Sequence, residues 1–175
     1  MLFSKKIDIT LASQYLSQDG QSLADLANSR PVYLVFLRHF GCTFCREMVS
    51  DLAAKRNEIS ACGPQLAFVH MGTEEKAHDF MQYYNLIDVP RFSDPQAQLY
   101  KSFGLARIPI RQFFNSETIL RMIFAIFDGH LAVIPAGDIQ QMPGIFLIQN
   151  AEIQKSFRHT LISDRPDYLS LATAS

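Results

Sequence analysis

The chain has 175 residues, 48% of them hydrophobic, and a formal net charge of −1 at pH 7, which is enough for one domain with a substantial core. Its 16 basic residues are scattered along the chain, which argues against the dense Lys/Arg surface that nucleic-acid binding requires. Three cysteines are too few for a disulfide scaffold, and their odd number favours a reducing compartment.

The first residues, 1–14, contain neither an apolar core region nor a cleavage site, so no signal peptide is predicted. The most apolar stretch of the chain, 119–136, is interrupted by Arg121, Asp128 and His130, which argues against a membrane span. We therefore expect a cytoplasmic protein that does not insert into a membrane.

Strands and helices are predicted to alternate over the first hundred residues. The continuous apolar run 32–37 is typical of a strand that is covered on both faces. Apolar residues at helical spacing follow it until Gly63 and Pro64 end the pattern. The predicted strands are 32–37, 66–71 and 91–93, and the predicted helices are 44–61, 73–84 with Thr73 as its cap, and 96–103.

The alternation breaks over 106–142, which we predict to be a helical insertion with one broad apolar face. We interpret this face as additional core; a cover over a functional pocket or a homodimer interface is the alternative. A strand at 144–149 and a hairpin partner at 152–160 follow, and 164–166 is predicted to open a final helix. The whole chain, 1–175, is therefore predicted to be one α/β domain.

The chemically most informative residues are Cys42 and Cys45, which follow strand 32–37 and open the next helix. Free backbone N–H groups and the helix dipole stabilise a thiolate at such a position. Two intervening residues place the sulfurs about one helical turn apart, which is close enough for a disulfide. Two alternatives are structural cysteines and half a zinc site, but a second Cys/His pair at ligand spacing is missing.

The third cysteine, Cys62, is expected to be a bystander. If the helix continues unbroken from Cys45, the two residues lie roughly 25 Å apart at about 1.5 Å per residue. Cys62 then cannot reach the dithiol within the same chain.

Three cationic or ionisable side chains, Arg38, His39 and Arg46, flank the cysteines in the sequence. A cation near a thiol lowers its pKa. Strand alternation sends Arg38 and His39 to opposite sides, so at most one of them is expected to face the sulfurs. A structural role remains the alternative for each of these residues, and Glu47 is interpreted as a charge that stabilises the helix start.

The segment 36–47 resembles the peroxiredoxin-like branch of the alkyl hydroperoxide reductase/thiol-specific antioxidant family, and 137–147 and 163–168 match it too. This resemblance implies a thioredoxin-like three-layer fold with a central mixed β-sheet and a helical insertion before the C-terminal hairpin. It also implies a cytoplasmic oxidoreductase that reduces peroxides or disulfides with electrons from an external thiol donor of the thioredoxin or glutathione type. Neither a cofactor nor a metal is predicted.

The resemblance leaves the attacking cysteine open. Peroxiredoxins have the pattern Pro-x-x-x-Thr-x-x-Cys, in which Arg38 and Cys42 replace the proline and the threonine, so that Cys45 is the peroxidatic residue. Thioredoxin-like proteins attack with the first cysteine, and accessibility at the helix start favours Cys42. Thr43 lies between the two thiols and is counted among the supporting residues.

A proline completes the predicted site. In thioredoxin-like folds a cis-proline precedes the strand that corresponds to 144–148 and lies against the redox cysteines. Pro143 holds that position, and Pro109 is the alternative. Three functions remain open: a dithiol peroxidase or protein disulfide reductase, a redox-sensing module without turnover, and a structural domain whose motif cysteines never cycle.

Overall fold

The computed structural model describes residues 5–107, 140–161 and 163–173. Within these ranges the strands form one mixed sheet in the order β1-β6-β5-β2-β3-β4. Strands β2, β3 and β4 run parallel, whereas β5 pairs antiparallel with β2, and β6 pairs antiparallel with both β5 and β1. The strands are β1 (Lys5–Lys6), β2 (Val32–Phe36), β3 (Gln65–His70), β4 (Arg91–Ser93), β5 (Gly144–Gln149) and β6 (Glu152–Arg158).

Helices cover both faces of this sheet. Along β2, Val32, Leu34 and Phe36 face one apolar cluster, and Tyr33 and Val35 face a second one on the opposite side. The expected three-layer α/β architecture is therefore confirmed. The helices are α1 (Ile9–Ala12), α2 (Leu23–Ser29), α3 (Thr43–Ala54), α4 (Arg56–Ala61), α5 (Glu74–Tyr83), α6 (Gln98–Ser102) and α7 (Tyr168–Ala172).

The prediction of one continuous helix over 44–61 is wrong, because the structure has two helices there, α3 and α4. Lys55 leaves the helical region with φ −95° and ψ 5°. The change of direction lets α4 bury Ile59 in the same apolar cluster as Leu52 of α3. The distance to Cys62 that assumed an unbroken helix therefore does not apply. Cys62 itself is exposed at the C-terminal cap of α4.

Capping side chains decide where the last helix begins. It was predicted to open at 164–166 but starts at Tyr168, because Asp167 accepts hydrogen bonds from the N–H groups of Leu169 and Ser170. Asp164 instead accepts the N–H groups of Thr160 and Leu161 and closes a turn. The predicted cap of α5 is confirmed, since the Thr73 hydroxyl accepts the N–H of Lys76.

The predicted insertion falls almost entirely outside the described residues, which resume at 140. Its two ends lie side by side: Met142 N–H donates to the carbonyl of Ala106, and the backbones of Arg107 and Gln141 form an isolated antiparallel β-bridge. Pro109 and the apolar stretch 119–136 lie outside the described ranges. Of the helices in the described ranges, none is both long and apolar enough to cross a membrane.

Candidate active site

The two cysteines lie where the central strand β2 gives way to α3. Cys42 is the N-terminal cap of α3, and Cys45 lies in its first turn. The Tyr100 hydroxyl lies within hydrogen-bond distance of the carbonyls of Leu37 (2.5 Å) and Val69 (3.1 Å), so its single proton is shared between the end of β2 and the neighbouring strand β3. The predicted position of the dithiol at the start of a helix is confirmed.

Arg38 is the cation that faces the dithiol. Its Nη1 lies 3.5 Å from the sulfur of Cys42, and its side chain is buried. Both thiols are also buried, with 6% of Cys42 and 2% of Cys45 exposed. The accessible helix start that the sequence suggested is therefore covered, although Cys42 remains the more exposed of the two residues.

The environment shifts the pKa values of the two thiols in opposite directions. The pKa of Cys42 falls to about 6, because the hydrogen bond that the Cys45 side chain donates, together with the smaller effect of the Arg38 cation, outweighs the cost of burial. The pKa of Cys45 rises, because that hydrogen bond needs its proton, and burial and the neighbouring thiolate add to the effect. Cys42 is therefore the thiol that ionises first.

The helix start contributes less to this asymmetry than the sequence suggested. The Cys42 sulfur forms no regular cap hydrogen bond. The backbone N–H of Cys45 lowers the pKa of Cys42 less than the Cys45 side chain and the Arg38 charge do. Side-chain partners are therefore the main source of thiolate stabilisation.

A small recess opens onto both sulfurs, with a cavity volume of about 10 Å³. This is about the space that one water molecule requires. One wall comes from the junction of β2 and α3, the other comes from the segment after β6, and Pro143, just before β5, adds to the lining. The residues that line this thiol recess are Arg38, Cys42, Phe44, Cys45, Glu47, Met48, Pro143, His159, Ser163, Asp164, Arg165 and Tyr168.

The structure brings only some of the predicted supporting residues to the sulfurs. Arg38 and Pro143 line the recess, whereas His39, Thr43 and Arg46 are outside its lining. Arg46 donates to the carbonyl of Phe40 and lies over a phenyl ring of α5 instead. His39 and Thr43 are buried in the protein. As expected, Arg38 and His39 do not both face the sulfurs.

The prediction of a cis peptide bond at Pro143 is wrong. No peptide bond between described residues is cis. The trans arrangement satisfies the neighbouring backbone groups, since Met142 N–H donates to Ala106 and the Pro143 carbonyl accepts the N–H of His159. Pro143 nevertheless lies at the predicted place, in the lining of the recess.

Sequence reasoning missed the second wall of the recess. No sequence pattern singles out His159, yet it lines the recess and is buried. Burial lowers its pKa to about 4, so the imidazole is neutral at pH 7. The resemblance of residues 163–168 to the family was the signal that could have indicated this wall, because family-like residues far from the dithiol in the sequence suggest a second part of the site.

Arg165 fastens the second wall to α3. Its Nη1 donates to Oε1 of Glu47 at 2.7 Å, and its Nη2 donates to Oδ2 of Asp51 at 2.5 Å. Glu47 was expected to stabilise the helix start, but no acidic residue lies in the first turn of α3. Its described partner is Arg165.

These features define a protein of the thioredoxin-like fold with an asymmetric, buried dithiol at the end of its central strand. The sequence pattern of the AhpC/TSA family matches residues 5–134. The chain therefore belongs to the AhpC/TSA family.

Comparisons with individual proteins agree with this assignment. "Thioredoxin-like protein AAED1, chloroplastic" of Arabidopsis thaliana is 33% identical over 108 residues, which are 62% of this chain but only 43% of that protein. "Prostamide/prostaglandin F synthase" of Xenopus tropicalis is 28% identical over 169 residues, 95% of this chain and 83% of that protein. The crystal structure of Peroxidoxin BcpB from Mycobacterium tuberculosis shares the fold, with a TM-score of 0.61, 14% identity and coverage of 90% of this chain and 86% of that one.

Proposed function

We propose that this protein is a thiol-dependent oxidoreductase that reduces small peroxides through a Cys42–Cys45 dithiol cycle. Membership of the AhpC/TSA family supports thiol chemistry. The observation that carries the proposal is the contact of 3.5 Å between Arg38 Nη1 and the Cys42 sulfur. A buried cation at that distance favours the thiolate, which is the reactive form of cysteine.

In the first step the Cys42 thiolate attacks the terminal oxygen of the peroxide. The S–O bond forms and the O–O bond breaks, so that Cys42 becomes a sulfenic acid and the peroxide leaves as an alkoxide or hydroxide. A proton from the solvent converts this anion into an alcohol or water. Arg38 lies where it stabilises both the thiolate and the departing oxyanion.

In the second step Cys45 resolves the sulfenic acid. Its sulfur attacks the sulfur of Cys42, the S–S bond forms, and hydroxide leaves with the proton that Cys45 releases, as water. The raised pKa of Cys45 suits this role, because the thiol remains protonated until its partner is oxidised. An external dithiol then reduces the disulfide by two thiol–disulfide exchanges and is itself oxidised.

The size of the thiol recess favours a peroxide over a protein disulfide. A cavity of about 10 Å³ has room for a molecule about as small as water. A folded protein disulfide cannot reach the sulfurs of two residues that are only 6% (Cys42) and 2% (Cys45) exposed without opening the recess. Small peroxides are therefore the preferred substrates of this conformation.

The proposal is tested by mixing the reduced protein with hydrogen peroxide and identifying the sulfur species by mass spectrometry. We expect a Cys42–Cys45 disulfide in the wild type, a stable sulfenic acid on Cys42 in Cys45→Ser, and no oxidation at the dithiol in Cys42→Ser. Cys62→Ser is the matched control and should oxidise like the wild type, because Cys62 is exposed and far along the chain from the motif.

Turnover is measured separately with a thiol donor. Continuous peroxide consumption that requires both motif cysteines supports a peroxidase. If one equivalent of peroxide oxidises the protein and neither a thioredoxin-type nor a glutathione-type donor supports further consumption, the protein is a redox sensor and not an enzyme. A sulfenic acid on Cys45 instead of Cys42 would overturn the assignment of the nucleophile.

A further inference from the structure

We propose that Arg165 determines the size of the reactant that reaches Cys42, by holding residues 163–168 closed against α3. We call residues 163–168 the clasp segment. This inference rests on the proposed dithiol function and adds a specificity determinant to it. Four residues of the clasp segment, namely Ser163, Asp164, Arg165 and Tyr168, line the thiol recess.

The contacts of Arg165 connect the two walls of the recess. Glu47 and Asp51 are four residues apart on α3 and therefore lie on the same face of the helix. The Arg165 guanidinium bridges both of them, at 2.7 Å and 2.5 Å. Glu47 itself lines the recess. The ion pairs therefore lie at the rim of the opening through which a reactant reaches the sulfurs.

Hydrogen bonds also hold the two ends of the clasp segment to neighbouring residues. On one side, Asp164 accepts hydrogen bonds from Thr160 and Leu161. On the other side, Tyr168 is buried, and its carbonyl accepts the hydroxyl of Tyr33 at 3.1 Å. Arg165 is the residue between these anchors that joins the segment to α3.

The clasp is weak enough to open. The side chain of Arg165 is 47% exposed, and that of Asp51 is 26% exposed. Ion pairs that water can reach are weakened by solvent and by salt. Salt therefore lowers the fraction of molecules in which the clasp is closed. Buried Tyr168 keeps the clasp segment attached to the domain when Arg165 releases α3.

The consequence is a selection by size. With the clasp closed, the recess of about 10 Å³ leaves room beside the Cys42 sulfur for only a small reacting group, such as a peroxide oxygen or the methylene carbon of a small alkylating reagent. With the clasp open, a bulky disulfide can approach Cys42. The Cys42 thiolate then attacks one sulfur of the disulfide and releases a thiolate, and Cys45 displaces the second thiolate after losing its proton to the solvent.

The test compares two reagents on the reduced protein in a Cys62→Ser background, so that only the motif cysteines react. Iodoacetamide is the small probe, and a neutral bis-pyridyl disulfide is the bulky one. In Arg165→Gln we expect the rate constant of the bulky reagent, divided by that of the small reagent, to rise about fivefold. This is the change expected if the Arg165 ion pairs favour the closed clasp by about 1 kcal/mol. Glu47→Gln/Asp51→Asn should raise the ratio to the same extent, and combining both changes should add nothing further.

Arg56→Gln is the matched control, because it removes an ion pair of the same kind with Asp88, which is not in the lining of the recess. Raising the salt concentration should increase the ratio in the wild type but not in Arg165→Gln. An Arg165→Gln ratio equal to that of Arg56→Gln, or a wild-type ratio that salt does not change, would overturn the proposal. Peroxide turnover is measured independently, so a raised ratio without turnover rejects the peroxidase and retains the clasp.

Discussion

Arg38 and Cys42 are four residues apart in the chain, and the Nη1 of the arginine lies 3.5 Å from the sulfur of the cysteine. β2 ends at Phe36, so Arg38 lies in the connection that leads into α3. This position lets its guanidinium turn back toward the helix start. The Arg38 charge adds to the hydrogen bond from Cys45, and the two partners together outweigh burial, which alone would raise the pKa of Cys42.

Replacing Arg38 with methionine tests this contact. We expect the pKa of Cys42 to rise from about 6 by about one unit or more, which means at least about fivefold less thiolate at pH 6. The measurement is the pH dependence of iodoacetamide alkylation in the Cys62→Ser background. Arg46→Met is the matched control, since Arg46 contacts Phe40 and a ring of α5. Equal effects of the two changes would show that Arg38 has no special role.

A second prediction tests whether the hydrogen bond from Cys45 lowers the pKa of Cys42. The Cys45 side chain is the largest contributor to the low pKa of Cys42. In Cys45→Ser a hydroxyl can still donate this hydrogen bond, so the pKa of Cys42 should remain low. In Cys45→Ala the donor is lost, and the pKa should rise. The same alkylation profile measures both variants, and identical profiles would contradict the assigned hydrogen bond.

Much of the fold follows from local patterns. β2 is predictable because five consecutive apolar residues, Val32–Phe36, are typical of a strand that is buried on both faces. The start of α5 is predictable because Thr73 is a preferred cap residue. The break at Lys55 is not predictable in this way, because it depends on how α4 packs Ile59 into the core and not on a helix-breaking residue.

The second wall of the active site could not be predicted from local patterns for a related reason. Arg165 and Glu47 are separated by 118 residues, and no spacing rule connects them. His159 likewise lines the recess because β6 ends at Arg158, just before it, and leads the chain there. Such contacts follow from the topology of the sheet, which places β6 next to β5.

The buried histidines predict how stability depends on pH. Burial lowers the pKa values of His39, His70 and His159 to about 4. The unfolded chain binds protons below about pH 6.5, while the folded protein binds them only near pH 4. The free energy of unfolding should therefore fall as the pH decreases through this window, by about 2 kcal/mol per histidine between pH 7 and pH 5.

Urea denaturation at these two pH values measures this effect. His159→Asn should lose less stability on acidification than the wild type, because it removes one of the three groups. His78→Asn is the control, since His78 is exposed and should leave the difference unchanged. A protein equally stable at pH 5 and pH 7 would contradict the burial of neutral imidazoles.

Close packing at Gly72 connects the loop after β3 with the approach to the dithiol. A Cβ atom at Gly72 would lie 2.5 Å from Cε2 of Phe40. The Phe40 ring cannot retreat freely, because it packs on the Phe80 ring, with 4.7 Å between the ring centroids, and on His70, with 5.4 Å. Gly72→Ala should therefore destabilise the protein by about 1–3 kcal/mol, as overpacking of a core does, and urea denaturation measures the loss.

Replacing the Phe40 ring with a smaller side chain tests whether the clash with this ring causes the stability loss of Gly72→Ala. Phe40→Leu removes the aromatic edge that the new methyl group would meet, at its own cost in lost packing. If the clash is responsible, Gly72→Ala/Phe40→Leu should lose less stability than the sum of the two single changes, by at least about 0.5 kcal/mol. Strictly additive losses would mean that the two residues do not contact each other in this way.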